Sequence, residues 1–238
     1  MIARHIPNFL TCCNLLCGCI GIVQVFSGSL FSASILIGLA AVFDFLDGFA
    51  ARLLNASSPI GKDLDSLADV VTFGVLPGLI VFKLISSNVF TSPYGIYLPY
   101  VAMLIPVFSA LRLAKFNNDP RQSDEFIGLP TPANAIFFGS FPLIIKFDDS
   151  LLSLGLLDPS LLIVLTIGSC ILMVAKLPLI SLKFKTRAFR ANIYKYILIG
   201  SAPILAFLIS YYSIPAVIIL YVVLSLIKNK AEKTAKRI

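Results

Sequence analysis

The chain has 238 residues, of which 58% are hydrophobic and 13% charged, and its mean hydropathy is +0.94. These values exclude a water-soluble domain of ordinary composition and predict a polytopic membrane protein. The formal net charge of +7 does not indicate nucleic-acid binding, because lysines and arginines at the cytoplasmic ends of helices explain a basic balance in so apolar a chain.

Eight apolar segments follow one another along the chain, separated by short polar stretches. Because a membrane-spanning helix needs about 20 apolar residues, this length leaves no room for a separate soluble domain. We therefore expect a single domain over residues 1–238, an all-α polytopic transmembrane helix bundle with a core of six helices plus about two C-terminal helices. The predicted spans lie near residues 9–26, 32–54, 66–86, 97–114, 133–147, 160–178, 193–210 and 214–228.

The basic residues indicate how these helices are oriented. If the N-terminus lies in the cytoplasm, every lysine and arginine except Lys83 and Lys146 falls at a cytoplasmic helix end. Cytoplasmic loops carry an excess of such residues, so the asymmetry predicts a multi-pass protein of the cell membrane with both termini in the cytoplasm. The basic stretch at 179–192 and the tail after Lys228 are typical of contacts with anionic lipid headgroups.

Three aspartates interrupt the apolar segments. Asp44 and Asp47 lie within the second segment, and Asp69 lies just inside the third. An aspartate at the centre of a membrane helix costs about 2.5–3.5 kcal/mol on insertion scales, so these side chains need a partner or a water-filled cavity. The placement predicts a functional site at the cytoplasmic end of these two helices.

The spacing of the acids predicts a metal site. Asp44 and Asp47 share one helical face, and Asp65 and Asp69 share another. Because two helices joined by a short loop run antiparallel, the four carboxylates can converge, and they would repel one another unless cations balanced their charge. Oxygen ligands favour Mg²⁺ or Mn²⁺, and the single histidine, His5, argues against zinc. We expect two divalent cations.

Small residues lie between the acids. Gly48 and Ala51 are one helical turn apart, and their missing bulk lets either a ligand or a neighbouring helix approach closely. Arg52 follows directly. It can extend to the membrane surface, or its guanidinium can bind a phosphate beside a metal site.

The stretch reads Asp44-x2-Asp47-Gly48-x2-Ala51-Arg52-x8-Gly61-x3-Asp65-x3-Asp69. It resembles the complete eight-residue motif of the CDP-alcohol phosphatidyltransferase family, and eight fixed positions over 26 residues make a specific match. The resemblance covers about residues 6–185 and implies that these form the catalytic core, with the helices at about 193–228 added to it. It also implies transfer of a phosphatidyl group from a CDP-linked lipid to a small alcohol, an active site on the cytoplasmic side, and a homodimer.

The resemblance further implies a role for each motif residue. Asp44 and Asp65 would bridge two metals, Asp47 would bind one of them, and Asp69 would bind the other while acting as the catalytic base. Asn8 matches a segment that faces the nucleotide in the family, although it could instead be a residue that starts the first helix. The substrate-binding positions implied in this way, or by their small size, are Asn8, Thr11, Gly48, Ala51, Arg52, Ser58 and Gly61.

Residues 64–74 (LDSLADVVTFG) resemble the integral-membrane branch of the family that forms phosphatidylserine, as do residues 112–117 and 128–133. Lys115 departs from the arginine expected there. The resemblance implies CDP-diacylglycerol as donor and L-serine as acceptor. Arg112 and Asn117 are the candidates for binding serine, although Arg112 could equally anchor its helix at the membrane surface or contact a lipid phosphate.

Two alternatives stay open at this point. The first keeps the chemistry but changes the acceptor to glycerol 3-phosphate or an inositol phosphate, or changes the donor to a diether lipid. No basic residue occurs in residues 70–74, directly after Asp69, and this favours serine over a phosphorylated acceptor. The second is a cation or proton transporter, which would explain the intramembrane acids but not the fixed offsets of Gly48, Ala51, Arg52 and Gly61.

Overall fold

The computed structural model describes residues 5–56, 58–87, 95–119, 126–148, 150, 155–180 and 192–235. A π-helical segment, Val70–Val75, joins the third helix to the fourth, and 3₁₀ segments at Gly95–Met103 and Ser210–Tyr212 lead into the fifth and the ninth. The α-helices are α1 (Ile6–Phe26), α2 (Leu30–Leu53), α3 (Pro59–Asp69), α4 (Leu76–Ser86), α5 (Leu104–Asn118), α6 (Thr131–Phe147), α7 (Pro159–Val174), α8 (Ile193–Ile209) and α9 (Ser213–Ala235).

The predicted all-α polytopic bundle is confirmed. In the described part of the chain, five helical stretches are long and apolar enough to cross a membrane, and α7 is a shorter apolar helix. Each of the eight predicted spans corresponds to a helical segment, including α6, which has 17 residues. The five long stretches are Ile6–Phe26, Leu30–Leu53, Pro59–Ser86, Gly95–Asn118 and Ile193–Ala231.

Three boundaries differ from the prediction. The third helical stretch begins at Pro59 rather than near residue 66, because Ser58 caps it by accepting a hydrogen bond from the Gly61 N–H at 3.0 Å. The sixth predicted span corresponds to α7, which ends at Val174 rather than near residue 178. The last helix, α9, continues beyond residue 228 to Ala235 with a polar sequence. Most of the basic stretch at 179–192 lies outside the described residues, as do Arg4 and Arg121.

The core of the bundle is built on α1, α2, α4 and α6. α1 packs along α2 and also contacts α3, the π-helical segment and α4. Glycines allow the close crossings: a Cβ at Gly18 would collide with Thr72, and one at Gly139 would meet Ile37 at 3.0 Å. The largest fully buried side chains include Phe73, Phe138, Phe141, Ile37, Leu76 and Ile80.

A two-stranded antiparallel sheet holds the segment before α6 against the end of α7. β1 (Phe126–Ile127) pairs with β2 (Pro178–Leu179), and the Gly128 N–H donates to the Leu177 carbonyl at 2.9 Å. The α9 side chain Asn229 donates to the Pro178 carbonyl at 2.6 Å. These bonds fix the position at which α6 begins.

The other end of α6 is attached to the turn between α8 and α9. The Phe147 ring stacks on Tyr211 with 4.5 Å between centroids, and the Tyr212 hydroxyl donates to Asp148 at 2.5 Å. This hydrogen bond, with those from Ser150, lowers the pKa of the Asp148 carboxyl below its ordinary value. Both ends of α6 are therefore fixed by residues from later in the chain.

Candidate active site

Three of the four predicted metal-binding aspartates converge. One carboxylate oxygen from each of Asp44, Asp47 and Asp65 lies within 4.8 Å of the others. Asp44 and Asp47 come from the last turns of α2, and Asp65 comes from the middle of α3. α1 packs against both α2 and α3 and so holds the two helices that carry the cluster.

The first helix orients one of these carboxylates directly. Thr11, in the second turn of α1, is 3% exposed, and its hydroxyl donates to Asp47 Oδ2 at 2.7 Å. The same hydroxyl lies 3.0 Å from the Pro7 carbonyl oxygen, which also holds its rotamer. Because Asp47 is only 6% exposed, this bond to a carboxylate is shielded from water.

A cavity of about 220 Å³ is lined in part by two of these three aspartates, Asp47 and Asp65. It brings together most of the positions proposed from the sequence for substrate binding. A Cβ at Gly48 would meet nothing within 4 Å, so this glycine leaves the cavity open rather than packing against a helix. The lining residues are Pro7, Asn8, Thr11, Asp47, Gly48, Ala51, Ala56, Ser58, Gly61, Lys62 and Asp65.

Two polar residues in the cavity wall have different surroundings. Asn8 lies within the first turn of α1 but is not its N-cap, which is His5. Its Oδ1 lies 3.0 Å from the point where a Cβ at Gly61 would stand, so a larger residue at 61 would press on it. Ser58 caps α3, and its hydroxyl oxygen is therefore already engaged by the Gly61 N–H.

Asp69 lies beside the cluster rather than within it. Its side chain is 6% exposed, and its Oδ1 accepts a hydrogen bond from Asn14 Nδ2 at 3.3 Å. The π-helical segment begins at the next residue, Val70. Within that segment, the Thr72 hydroxyl donates to the Asn14 backbone carbonyl at 3.1 Å. Such π-helical insertions are frequent at functional sites, because they redirect side chains along a helix.

Arg112 belongs to α5, which packs against the π-helical segment that follows Asp69. It is 6% exposed, its charge is attracted first by Asp69 and also by Asp44, and its guanidinium carbon lies 5.2 Å from the Phe116 ring centroid. It donates from a terminal nitrogen to the Thr131 hydroxyl at 3.4 Å. The side chain is therefore directed into the bundle, not toward a membrane surface.

Two other predicted substrate-binding residues, Arg52 and Asn117, are not among those that line the cavity. Arg52 is exposed at the end of α2 and is not among the lining residues. Asn117 is part-buried, and its side-chain amide donates to the Ser66 hydroxyl at 2.7 Å. The backbone carbonyl of Asn117 accepts a hydrogen bond from the Lys62 ammonium at 2.9 Å. Neither role is tested by this geometry, and both stay predictions.

The sequence alone did not identify Asn14, Thr72, Thr131 or Asn134. All four are fully buried polar residues at 0% exposure. Each lies in a mostly apolar helical segment, and nothing local in the sequence distinguishes it from a polar residue that packs helices together. The one available signal was the polar character of Asn14 and Asn134 within predicted spans, since an amide in a membrane needs partners.

The residues present fit divalent cations. Asp65 Oδ1 is buried and has no hydrogen-bond partner among the described residues, so it is a carboxylate oxygen available to a ligand. The cluster offers only oxygen donors, which is the set that Mg²⁺ and Mn²⁺ prefer. Asp44, Asp47 and Asp65 are therefore the residues that could hold metal, with Asp69 adjacent.

Comparison with known proteins gives a consistent result. The chain is 36% identical over 175 residues to the CDP-diacylglycerol–serine O-phosphatidyltransferase of Bacillus subtilis (strain 168), covering 73% of this chain and 89% of the relative. It is 39% identical over 132 residues to the enzyme of the same name from Helicobacter pylori (strain J99), covering 55% of this chain and 54% of that relative. It is 34% identical over 144 residues to the archaetidylserine synthase of Methanothermobacter thermautotrophicus, covering 58% of each.

A family model agrees with the geometry. The model for CDP-alcohol phosphatidyltransferase matches residues 4–174, which include α1 to α7 and all four aspartates. The helices α8 and α9 lie beyond the matched range. With more than half of the chain matched, and the motif residues gathered at one end of the bundle, the chain belongs to the CDP-alcohol phosphatidyltransferase family of membrane enzymes.

Proposed function

We propose that this enzyme transfers the phosphatidyl group of CDP-diacylglycerol to L-serine, giving phosphatidylserine and CMP. The observation that carries the proposal is the convergence of Asp44, Asp47 and Asp65 beside a cavity that Gly48 leaves open. The names of the bacterial relatives support serine as acceptor, and that of the archaeal relative supports serine with a different lipid donor. One domain over residues 1–238 would carry the activity.

We infer that two divalent cations, Mg²⁺ or Mn²⁺, bind at the four aspartates. Asp44, Asp47 and Asp65 would hold them, together with the adjacent Asp69. The unpartnered Asp65 Oδ1 and the oxygen-only donor set support this assignment. When bound, such cations neutralise negative charge on the pyrophosphate and on the departing nucleotide.

The protein's own residues would then orient and deprotonate the acceptor. The serine hydroxyl oxygen attacks the phosphorus of the phosphatidyl group, and the bond from that phosphorus to the CMP oxygen breaks, with its electron pair leaving on CMP. Asp69 is the proposed base. Because Asn14 engages Oδ1, Oδ2 would be the Asp69 oxygen that takes the hydroxyl proton.

The substrates would enter from the side of the membrane on which the aspartates lie. Lys62 lines the cavity and Arg52 is close by on α2, so positive charge is available for the phosphates of the donor. If α1 to α9 form the eight predicted spans, both termini lie on the same side of the membrane as this site. The distribution of basic residues favours the cytoplasm as that side. A homodimer stays a prediction from the family resemblance.

The test is an acceptor panel with purified protein in detergent. CMP release from CDP-diacylglycerol would be measured with L-serine, glycerol 3-phosphate and myo-inositol 1-phosphate, and the lipid product identified. We expect turnover with L-serine alone, lost with EDTA and restored by Mg²⁺ or Mn²⁺. Turnover with glycerol 3-phosphate but not L-serine would overturn the assignment of the acceptor.

A matched pair of variants tests the catalytic role. Asp69→Asn should abolish CMP release, whereas Asp63→Asn should leave it near wild type, since Asp63 is exposed on the same helix. Full activity of Asp69→Asn would remove Asp69 as base. A protein that moved cations but released no CMP would instead support the transporter alternative.

A further inference from the structure

A buried group of polar residues beside Asp69 has unused hydrogen-bonding capacity. Asn134 on α6 is 0% exposed, and neither its Nδ2 nor its Oδ1 has a hydrogen-bond partner in the described part of the chain. Arg112 Nε is also buried without one. A buried polar group left unpaired costs about 1–3 kcal/mol, so three such atoms in one region indicate a ligand that pairs with them.

These atoms belong to one region of the bundle, which we call the Arg112 cluster and define as Arg112, Thr131 and Asn134. Arg112 donates to the Thr131 hydroxyl at 3.4 Å. Thr131 and Asn134 are three residues apart in α6, so their side chains are neighbours on one face of that helix. The helix that carries Arg112, α5, packs against the π-helical segment that directly follows Asp69, and the Arg112 and Asp69 charges attract each other, so the cluster is in the neighbourhood of the proposed base.

The Arg112 cluster is separate from the cavity in which the donor's nucleotide would bind. None of its three residues lines the cavity beside Gly48 and Asp65. Asp69 interacts electrostatically with Asp65, which lines the cavity, and with Arg112 of the cluster, so it would face both substrates. That arrangement is what a transfer between two bound molecules requires.

The chemistry of the cluster fits a zwitterion. A guanidinium only donates hydrogen bonds and carries a positive charge, so Arg112 suits a carboxylate. The Asn134 amide offers both a hydrogen-bond acceptor and a donor, since Oδ1 can accept from an ammonium while Nδ2 donates to a carboxylate. An amino acid supplies both partners at one end of the molecule, because its ammonium donates and its carboxylate accepts.

We propose that Asn134 binds the amino-acid end of the acceptor together with Arg112, and that Thr131 is a positioning residue that holds the Arg112 guanidinium. The hydroxyl of an acceptor held in this way would be directed toward Asp69. This inference rests on the proposed function, because it assumes a hydroxy amino acid as acceptor. It adds two residues of α6 that determine which acceptor is used.

The test compares the Michaelis constants for the two substrates in four variants. Asn134→Ala should raise the KM for L-serine about tenfold, and Thr131→Val about fivefold, because each weakens a hydrogen bond to a charged group. The KM for CDP-diacylglycerol should stay within about twofold of wild type. Thr131→Ser keeps the hydroxyl and should behave as wild type.

Ser140→Ala is the matched control, since Ser140 is buried on the same helix and its hydroxyl bonds only the Phe137 carbonyl among the described residues. Elution from size exclusion and the thermal midpoint in detergent would show whether each variant is folded. If Asn134→Ala fails to fold, the comparison of Thr131→Val with Thr131→Ser carries the test.

The outcomes separate the two proposals. If the wild-type protein uses L-serine but folded Asn134→Ala and Thr131→Val have an unchanged KM for it, the inference is overturned and the proposed function stands. An equal rise in both Michaelis constants would also overturn it, because that indicates a structural role. If the wild-type protein releases no CMP with L-serine, the proposed function fails, and the assignment of Asn134 to an amino acid fails with it.

Discussion

Asn14 Nδ2 donates a hydrogen bond to Asp69 Oδ1 at 3.3 Å, across the contact between α1 and the end of α3. The backbone carbonyl of Asn14 accepts from the Thr72 hydroxyl in the π-helical segment. The first helix is thus bonded to the chain on both sides of the point where α3 changes to a π-helix. Because Asn14 is 0% exposed, water does not compete for these bonds, and the orientation of the Asp69 carboxylate depends on them.

We predict that Asn14→Ala lowers kcat by about tenfold to a hundredfold, since a misplaced reacting group has an effect of this size. The KM for CDP-diacylglycerol should change little. Initial rates of CMP release at saturating substrates would measure the effect. The control is Asn118→Ala, whose exposed side chain bonds only the Ala114 carbonyl among the described residues. An unchanged kcat in folded Asn14→Ala would mean that Asp69 is oriented by other contacts.

Thr11→Val should weaken metal binding. The threonine hydroxyl donates to Asp47 Oδ2, and loss of such an outer-shell partner typically reduces metal affinity by about tenfold to a hundredfold. We expect the Mg²⁺ or Mn²⁺ concentration that gives half-maximal activity to rise by about tenfold. Thr11→Ser keeps the hydroxyl and should restore the wild-type value. The same metal dependence in Thr11→Val and in wild type would argue that Asp47 does not hold metal.

Gly18→Ala should disrupt the active site from a distance. A Cβ at Gly18 would collide with the Thr72 hydroxyl and approach the Thr72 Cα at 3.0 Å, so α1 or the π-helical segment must move. We expect kcat to fall by at least about tenfold. Gly38→Ala on α2 is the control, because a Cβ there meets nothing within 4 Å. Equal activities of the two variants would show that this crossing adjusts without affecting Asp69.

Gly128→Ala should destabilise the segment that precedes α6. Gly128 has φ +79°, a conformation that favours glycine, and an added Cβ would collide with the Met173 carbonyl oxygen. We expect the free energy of unfolding to fall by more than about 1 kcal/mol. A lower thermal midpoint in detergent would show this. Gly168→Ala on α7, where a Cβ has open space, should raise the midpoint slightly or leave it unchanged. A wild-type midpoint for Gly128→Ala would contradict the prediction.

The sequence by itself determined the helical bundle and the location of its polar end. Hydropathy is a local property, so the apolar segments and the aspartates that interrupt them could be recognised without knowing how the helices pack. The grouping of Asp44 with Asp47 follows from helix geometry alone. The convergence of those two with Asp65 was predicted from the antiparallel course of adjacent helices, and the structure brings the three together.

Only the tertiary structure decided what surrounds those aspartates. Asn14, Thr131 and Asn134 come from α1 and α6, far along the chain from Asp69, and their meaning depends on which helix faces which. The orientation of the Asp69 carboxylate likewise depends on the hydrogen bond that it accepts from Asn14 on α1. The role of a polar residue in an apolar helix can be inferred only when its neighbours in space are known. An exposed amide is hydrated, whereas a buried amide needs a protein or ligand partner for its hydrogen bonds.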